Sequence, residues 1–199
     1  MTVETIKRAS PLADWANTLP VMPGAIVIRE VPFLAQVDIR LKADGPAGAA
    51  AAKVLGVTLP VTPCTAVAAG DLQILWLGPD EWLVVGPPGT AGELAEDLCA
   101  TLGGQGTVCD VSAQRTTLSV TGPRAADVLA HGCAIDLDPR AAPAGTCVQT
   151  NLARVGVILV VRNEAASDLW LLVRSSFAGY LATWLVDACQ EYAGDPSWQ

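Results

Sequence analysis

Val37, Ile39 and Leu41 alternate with Asp38, Arg40 and Lys42, the period-two pattern of a strand with one buried face. Gly45-Pro46 ends that run, and an Ala-rich helix follows, closing at Val54-Leu55-Gly56. The same order recurs downstream. Residues 116–120 are β-branched and apolar, Gly122-Pro123 breaks the strand, and Ala125, Ala126, Val128, Leu129 and Ala130 continue helically towards Gly132, a candidate C-cap. The second part of each unit recurs as well. Residues 75–86 (LWLGPDEWLVVG) read as a hairpin around Gly-Pro-Asp-Glu, followed by a helix over 91–102 that Gly103-Gly104 terminates. Residues 168–174 (DLWLLVR) read as a strand, followed by a helix from Ser176 to about Cys189 that Ser175 or Ser176 can cap. Phe177, Leu181, Trp184, Leu185 and Ala188 share one face of this last helix. Trp82 and Trp170 take matching places, twelve and eleven residues before Leu94 and Leu181.

These patterns predict an α+β fold with an internal duplication of strand, helix, strand pair, helix. Strands are expected at 25–30, 34–42, 72–77 and 82–86, then at 107–111, 115–121, 146–153, 155–162 and 168–174. Residues 25–192 are expected to form one domain of two pseudo-repeats, about 25–105 and 106–192. Residues 1–24 read as an extended arm, since Pro11, Pro20 and Pro23 disfavour regular structure, and 193–199 as a loose tail. Leu12, Trp15 and Leu19 in the arm and Trp198 in the tail are candidate interface anchors, because an exposed tail has no need of large apolar side chains.

Composition narrows the classes. The chain has 199 residues, of which 51% are hydrophobic and 16% charged. A chain so poor in charge either covers surface with a partner or is simply rich in Ala and Gly. A net charge of −8 with scattered basic residues argues against nucleic acid as a partner. No run approaches the roughly 18 apolar residues of a membrane span, and the first residues lack the apolar core of a secretory signal. The six cysteines show no C-x-x-C spacing and mostly lie in apolar segments, which reads as buried free thiols in a reducing, cytoplasmic compartment.

Candidate chemistry is sparse. The single histidine, His131, sits at a predicted helix end, where a cation suits the last carbonyls. Asp80 and Glu81 fall in a hairpin turn and read as solvated. Asp110, placed between two apolar strands, needs a partner, and Arg115 is the natural one for a structural ion pair. Gly103-Gly104-Gln105-Gly106 follows a helix, whereas phosphate loops follow a strand. No catalytic, cofactor-binding or metal residue is predicted.

The blocks LWLGPDEWLVV, DVSAQRTTLSVTGPRAADVLAHGCAIDL, AGTCVQTNLARVGVILV and LWLLVRSSFAGYLATWLVDA, in that order, resemble the gamma subunits of bacterial heterotetrameric sarcosine oxidases. The resemblance covers roughly residues 25–190. More distantly, the chain is similar to the folate-binding domain of glycine-cleavage aminomethyltransferases. The resemblance implies an aminomethyltransferase-like fold and a structural subunit with alpha, beta and delta partners. It implies a complex that oxidatively demethylates sarcosine to glycine, passes the one-carbon unit to tetrahydrofolate and produces hydrogen peroxide. FAD, FMN, NAD, tetrahydrofolate and zinc are then expected on the other subunits. The alternative it leaves is a folate-dependent aminomethyltransferase or folate-binding protein. The folate enzymes carry a Gly-Gly stretch and a catalytic Asp after the central strand. Residues 150–161 here (TNLARVGVILVV) contain neither, and Asn151 and Arg154 cannot exchange a proton as an Asp does.

Overall fold

The computed structural model describes residues 8–193. In chain order its strands and helices are β1 (Val21–Met22), β2 (Ile26–Val31), β3 (Ala35–Leu41), α1 (Pro46–Leu55), β4 (Ala66–Ala69), β5 (Leu72–Gly78), β6 (Glu81–Gly86) and α2 (Ala91–Leu102). They continue with β7 (Gly106–Asp110), β8 (Arg115–Thr121), α3 (Ala125–Ala130), β9 (Cys147–Leu152), β10 (Val155–Val161), β11 (Asp168–Arg174) and α4 (Ala178–Ala188). Two antiparallel sheets result. One runs β1-β2-β8-β11-β10-β9, the other β4-β5-β6-β3-β7.

The duplication has a topological twist. Elements β3 to α2 recur as β8 to α4, but the strand leading into each repeat crosses over. β2 pairs with β8 of the second half, and β7 pairs with β3 of the first. Each sheet therefore borrows a strand from the other half, and neither half closes its sheet alone.

Each strand buries its two faces differently. Val37, Ile39, Trp82 and Val84 pack outward with Leu55, Leu98 and Leu102 of α1 and α2. Leu118, Val120, Leu159, Leu171 and Val173 pack outward with Leu129, Leu181 and Leu185 of α3 and α4. The inner faces meet in a third, smaller cluster of Leu75, Leu83, Val85, Ile158, Val160 and Leu172. The order of layers is helix, sheet, sheet, helix. β10 is buried on both faces, which is why its sequence is apolar without alternation.

Several expectations are corrected. The described part of the arm, from Arg8 onward, is not extended: it holds a 3-10 turn at Ala13–Trp15 and ends in β1, with Val21 opposite Val27. Ile28 N–H donates to the Pro20 carbonyl at 2.8 Å, and Ser10 hydrogen-bonds Glu30. Leu12 and Leu19 are buried in the chain's own core beside Ile26 and Ile28, and Trp15 packs half-buried on the same cluster. Leu12, Trp15 and Leu19 are thus core and cover, because the outer face of β2 needs an apolar lid. Trp198 lies outside the described residues. β4 was not anticipated, since Ala-rich segments carry little strand preference.

Gly132 is not a left-handed cap. Helix α3 ends at His131, and a Cβ on Gly132 would lie 2.6 Å from Trp184 Cζ2. Close approach, not backbone handedness, demands glycine there. Ser175 does not cap α4; its hydroxyl donates to the Ala113 carbonyl at 3.1 Å. Phe177 is exposed. Trp82 and Trp170 are not equivalent. The one-residue difference in their spacing puts Trp82 in the outer core and Trp170 against the inner one, as strand alternation requires.

Candidate functional site

The inner faces are apolar at one end and charged at the other. Strand alternation points Gln36, Asp38 and Arg40 of β3, Glu81 of β6, Arg115 and Thr117 of β8 and Arg174 of β11 away from the outer cores, into the space between the sheets. Antiparallel register sets Arg40 opposite Glu81, and their side chains form a 2.8 Å ion pair; Asp38 lies 3.9 Å from Arg40. Burial raises the Asp38 pKa above the ordinary carboxylate value, and the nearby Glu81 charge adds to it.

Register also sets Arg115 directly opposite Arg174. Burial lowers the Arg115 pKa, and the Arg174 charge lowers it further, while Asp38 and Glu81 pull the other way. Among the described residues neither arginine forms a salt bridge. The two guanidinium-bearing chains line a cavity of about 330 Å³ over the inner face of β8, β11, β10 and β9, together with Gln149, Asn151 and the bare backbone of Gly156. Gln149 Nε2 donates to the Leu77 carbonyl of the opposite sheet at 2.9 Å. Among the described residues the lining offers cations, amides and the Thr150 hydroxyl, and no carboxylate, thiol or imidazole. Such a set can hold an anion; it cannot act as a general base at neutral pH.

Deeper between the sheets, Gln36 ties the two halves together. Its N–H donates to Ser112 Oγ at 2.9 Å, its Nε2 donates to the Arg115 carbonyl at 3.3 Å, and its carbonyl accepts from Val111 N–H at 2.8 Å. Gln36 Oε1 and Thr117 Oγ1 are buried without a hydrogen-bond partner among the described residues.

The expected Asp110–Arg115 pair does not form. Asp110 is exposed at the end of β7 and accepts from Ser112 N–H at 2.9 Å and Ser112 Oγ at 2.5 Å, which lowers its pKa. A local turn satisfied the carboxylate first, as Asp followed by Ser often does. Arg115 instead faces Arg174, a residue the linear reading did not single out, because cross-strand register is not written in one strand. Glu81 is not a solvated turn residue; it belongs to β6 and holds Arg40. His131 Nε2 lies 3.0 Å from Glu191, on the surface.

All six cysteines are free, but Cys64, Cys99 and Cys109 are exposed, against the expectation of mostly buried thiols. Burial pushes the Cys147 thiol up to about 12 and Cys189 to about 11, so neither is a nucleophile at neutral pH. Among the described residues no cluster of His, Cys, Asp and Glu has the makings of a metal site. The 150–161 segment forms the β9–β10 hairpin, and its Asn151 and Gly156 belong to the cavity wall.

Comparison with known proteins now adds to this geometry. Residues 40–191 match the model of the family described as "Sarcosine oxidase, gamma subunit family". The chain is 38% identical to the sarcosine oxidase subunit gamma of Corynebacterium sp. (strain P-1), over 96% of this chain and 95% of that one. It is 40% identical to the Arthrobacter sp. subunit gamma, over 95% and 93%. Among solved structures it is similar to a chain of the heterotetrameric sarcosine oxidase from Corynebacterium sp. U-96 in complex with pyrrole 2-carboxylate, with a TM-score of 0.86, 34% identity and coverage of 94% and 97%. Aminomethyltransferase T of the Bartonella henselae glycine cleavage system shares the fold, with a TM-score of 0.63 at 14% identity, over 88% of this chain and 56% of that one.

Proposed function

The chain belongs to the sarcosine oxidase gamma subunit family, and from that premise we propose that it is the structural, non-catalytic gamma subunit of a heterotetrameric sarcosine oxidase, assembled with alpha, beta and delta subunits. The complex oxidises sarcosine to glycine, with tetrahydrofolate as one-carbon acceptor and hydrogen peroxide as product. FAD, FMN, NAD, tetrahydrofolate and zinc belong to the other subunits, and the complex is cytoplasmic. The observation that carries the assignment is near full-length likeness to named gamma subunits in both sequence and backbone.

The non-catalytic part of the reading has its own support. Among the described residues the cavity on the inner face is lined without an acid or base, and residues 150–161, which the resemblance sets against the catalytic stretch of the folate enzymes, contribute Asn151 and Gly156 to it. A shared fold carries no chemistry by itself. Among the described residues no helix is long and apolar enough to cross a membrane.

The test is expression of the chain with and without the three neighbouring subunits. The chain alone is expected to be colourless and inactive towards sarcosine, and co-expression is expected to yield one assembly that consumes sarcosine and releases hydrogen peroxide. Stoichiometric flavin on the isolated chain, or tight tetrahydrofolate binding to it, would overturn the non-catalytic reading. Failure of the chain to co-purify with the others would overturn the subunit reading.

A further inference from the structure

Arg115 and Arg174 stand directly opposite on adjacent strands, on the same face, with no salt bridge to either among the described residues. Like charges in that relation destabilise a sheet unless something sits between them. The surroundings do not cancel the charge. Three arginines (Arg40, Arg115, Arg174) face two carboxylates (Asp38, Glu81), and both carboxylates are held by Arg40. A local excess of positive charge on a chain of net charge −8 is a feature with a direction.

The cavity beside the pair supplies shape. Its volume of about 330 Å³ is at the low end for small-molecule sites, the size of one or two side chains. Gln149 and Asn151 add amides to the lining, and Gly156 adds no side chain to it, with Asn151 Oδ1 3.9 Å from where a Cβ would lie and nothing nearer. Two guanidiniums with neighbouring amides match a carboxylate, which accepts hydrogen bonds at both oxygens.

We infer that this cavity is a docking socket for an acidic side chain on a projecting segment of a neighbouring subunit, which reaches between the sheets and bridges Arg115 and Arg174. This rests on the subunit role proposed above. The partner segment is acidic and projecting, because a flat surface cannot place a carboxylate into the cavity. On docking, the paired cations lose their mutual repulsion, and the binding free energy includes that relief. The contact holds this subunit in the complex and is salt-sensitive at its rim.

The experiment uses the whole heterotetramer. Arg174→Gln, at an exposed position, is made alone, together with Arg115→Gln/Arg174→Gln and Arg115→Lys/Arg174→Lys. Dissociation of this subunit is followed by analytical ultracentrifugation across ionic strength. The double Gln variant is expected to weaken association by about 30-fold or more and to flatten its salt dependence, as loss of a desolvated charge pair does. Arg174→Gln is expected to fall between it and wild type, and the double Lys variant to recover part of the affinity, because charge returns without the planar fork. Association of the double Gln variant as tight as wild type overturns the inference and leaves the subunit role intact. A wild-type control that does not assemble overturns the subunit role itself, and the socket with it. Succinate provides a further arm: if it binds the assembled wild-type complex and Arg174→Gln abolishes that binding, the cavity is open to solvent in the complex and the socket is overturned in favour of a free-ligand site.

Discussion

The outer cores and the layer between the sheets are built from the same strands, yet their chemistry is opposite. β3 sends Val37, Ile39 and Leu41 outward to the helices and Gln36, Asp38 and Arg40 inward. β8 sends Leu118 and Val120 outward and keeps Arg115, Thr117 and Ser119 for the inside. The outer cores are continuous and apolar, and the helices seal them. The inner layer is apolar only where β5, β6, β10 and β11 meet, and becomes charged towards β3 and β8. The lesson is a division of labour. Stability resides under the helices, and the inner layer is free to carry polar groups that fix how the two halves meet and what they present to others.

That contrast can be broken most severely from the N-terminus. Deleting residues 1–22 removes β1 and two leucines of the outer core, Leu12 and Leu19. The loss is expected to reach at least about 4 kcal/mol, twice the lower bound for a buried leucine, and to appear as a collapse of the urea midpoint. A deletion that leaves the midpoint in place would show that the arm covers nothing of consequence. Leu181→Ala, in α4 and fully buried, is expected to cost about 2–5 kcal/mol by the same measurement; a change under about 0.5 kcal/mol would remove α4 from the core.

The two tryptophans sharpen the comparison with one substitution each. Trp82 is fully buried and donates Nε1–H to the Pro60 carbonyl at 2.8 Å, so Trp82→Phe orphans a buried acceptor and is expected to cost about 1–3 kcal/mol. Trp170 has no partner for Nε1 among the described residues and stacks under the Arg162 guanidinium at 4.2 Å, so Trp170→Phe, which keeps a ring there, is expected to change stability by less than about 1 kcal/mol. Equal costs for the two, read from denaturation curves, would contradict the opposite facings found here.

The smallest expected effect concerns pH. The folded-state pKa of Asp38 is raised above the ordinary carboxylate value of 3.8, chiefly by burial. The folded chain therefore holds more protons than the unfolded one between 3.8 and that raised value, and stability falls as pH rises through this window. Asp38→Asn is expected to flatten the fall, while Asp110, whose pKa is lowered by Ser112, contributes stability that is lost only as pH drops below 3.8. Stability measured from pH 3 to 7 decides it: an unchanged slope in Asp38→Asn means that the inner charges are screened by water.

Much of this architecture is legible along the chain. The alternation of Val37, Ile39 and Leu41, the Gly-Pro breaks before α1 and α3 and the hairpin at Gly78-Pro79 locate strands and helices to within a residue or two, because hydrophobic period and turn chemistry are local properties. The repeated blocks and their family likeness are legible for the same reason, as order along one strand of text. The crossing of β2 and β7 into each other's sheets is not, since nothing within β2 says that its neighbour is β8, some ninety residues away. Nor is the fate of Leu12 and Leu19, whose apolar character suits a partner's pocket and the chain's own core alike. Arg115 shows the limit most sharply. Its charge and its burial follow from the sequence pattern, but whether it meets Asp110 or Arg174 depends on register and on a serine turn that claims the aspartate first. Local periodicity therefore settled which residues turn inward, and tertiary pairing decided what each of them meets, because contact between strands depends on three-dimensional register that spacing in one segment does not encode.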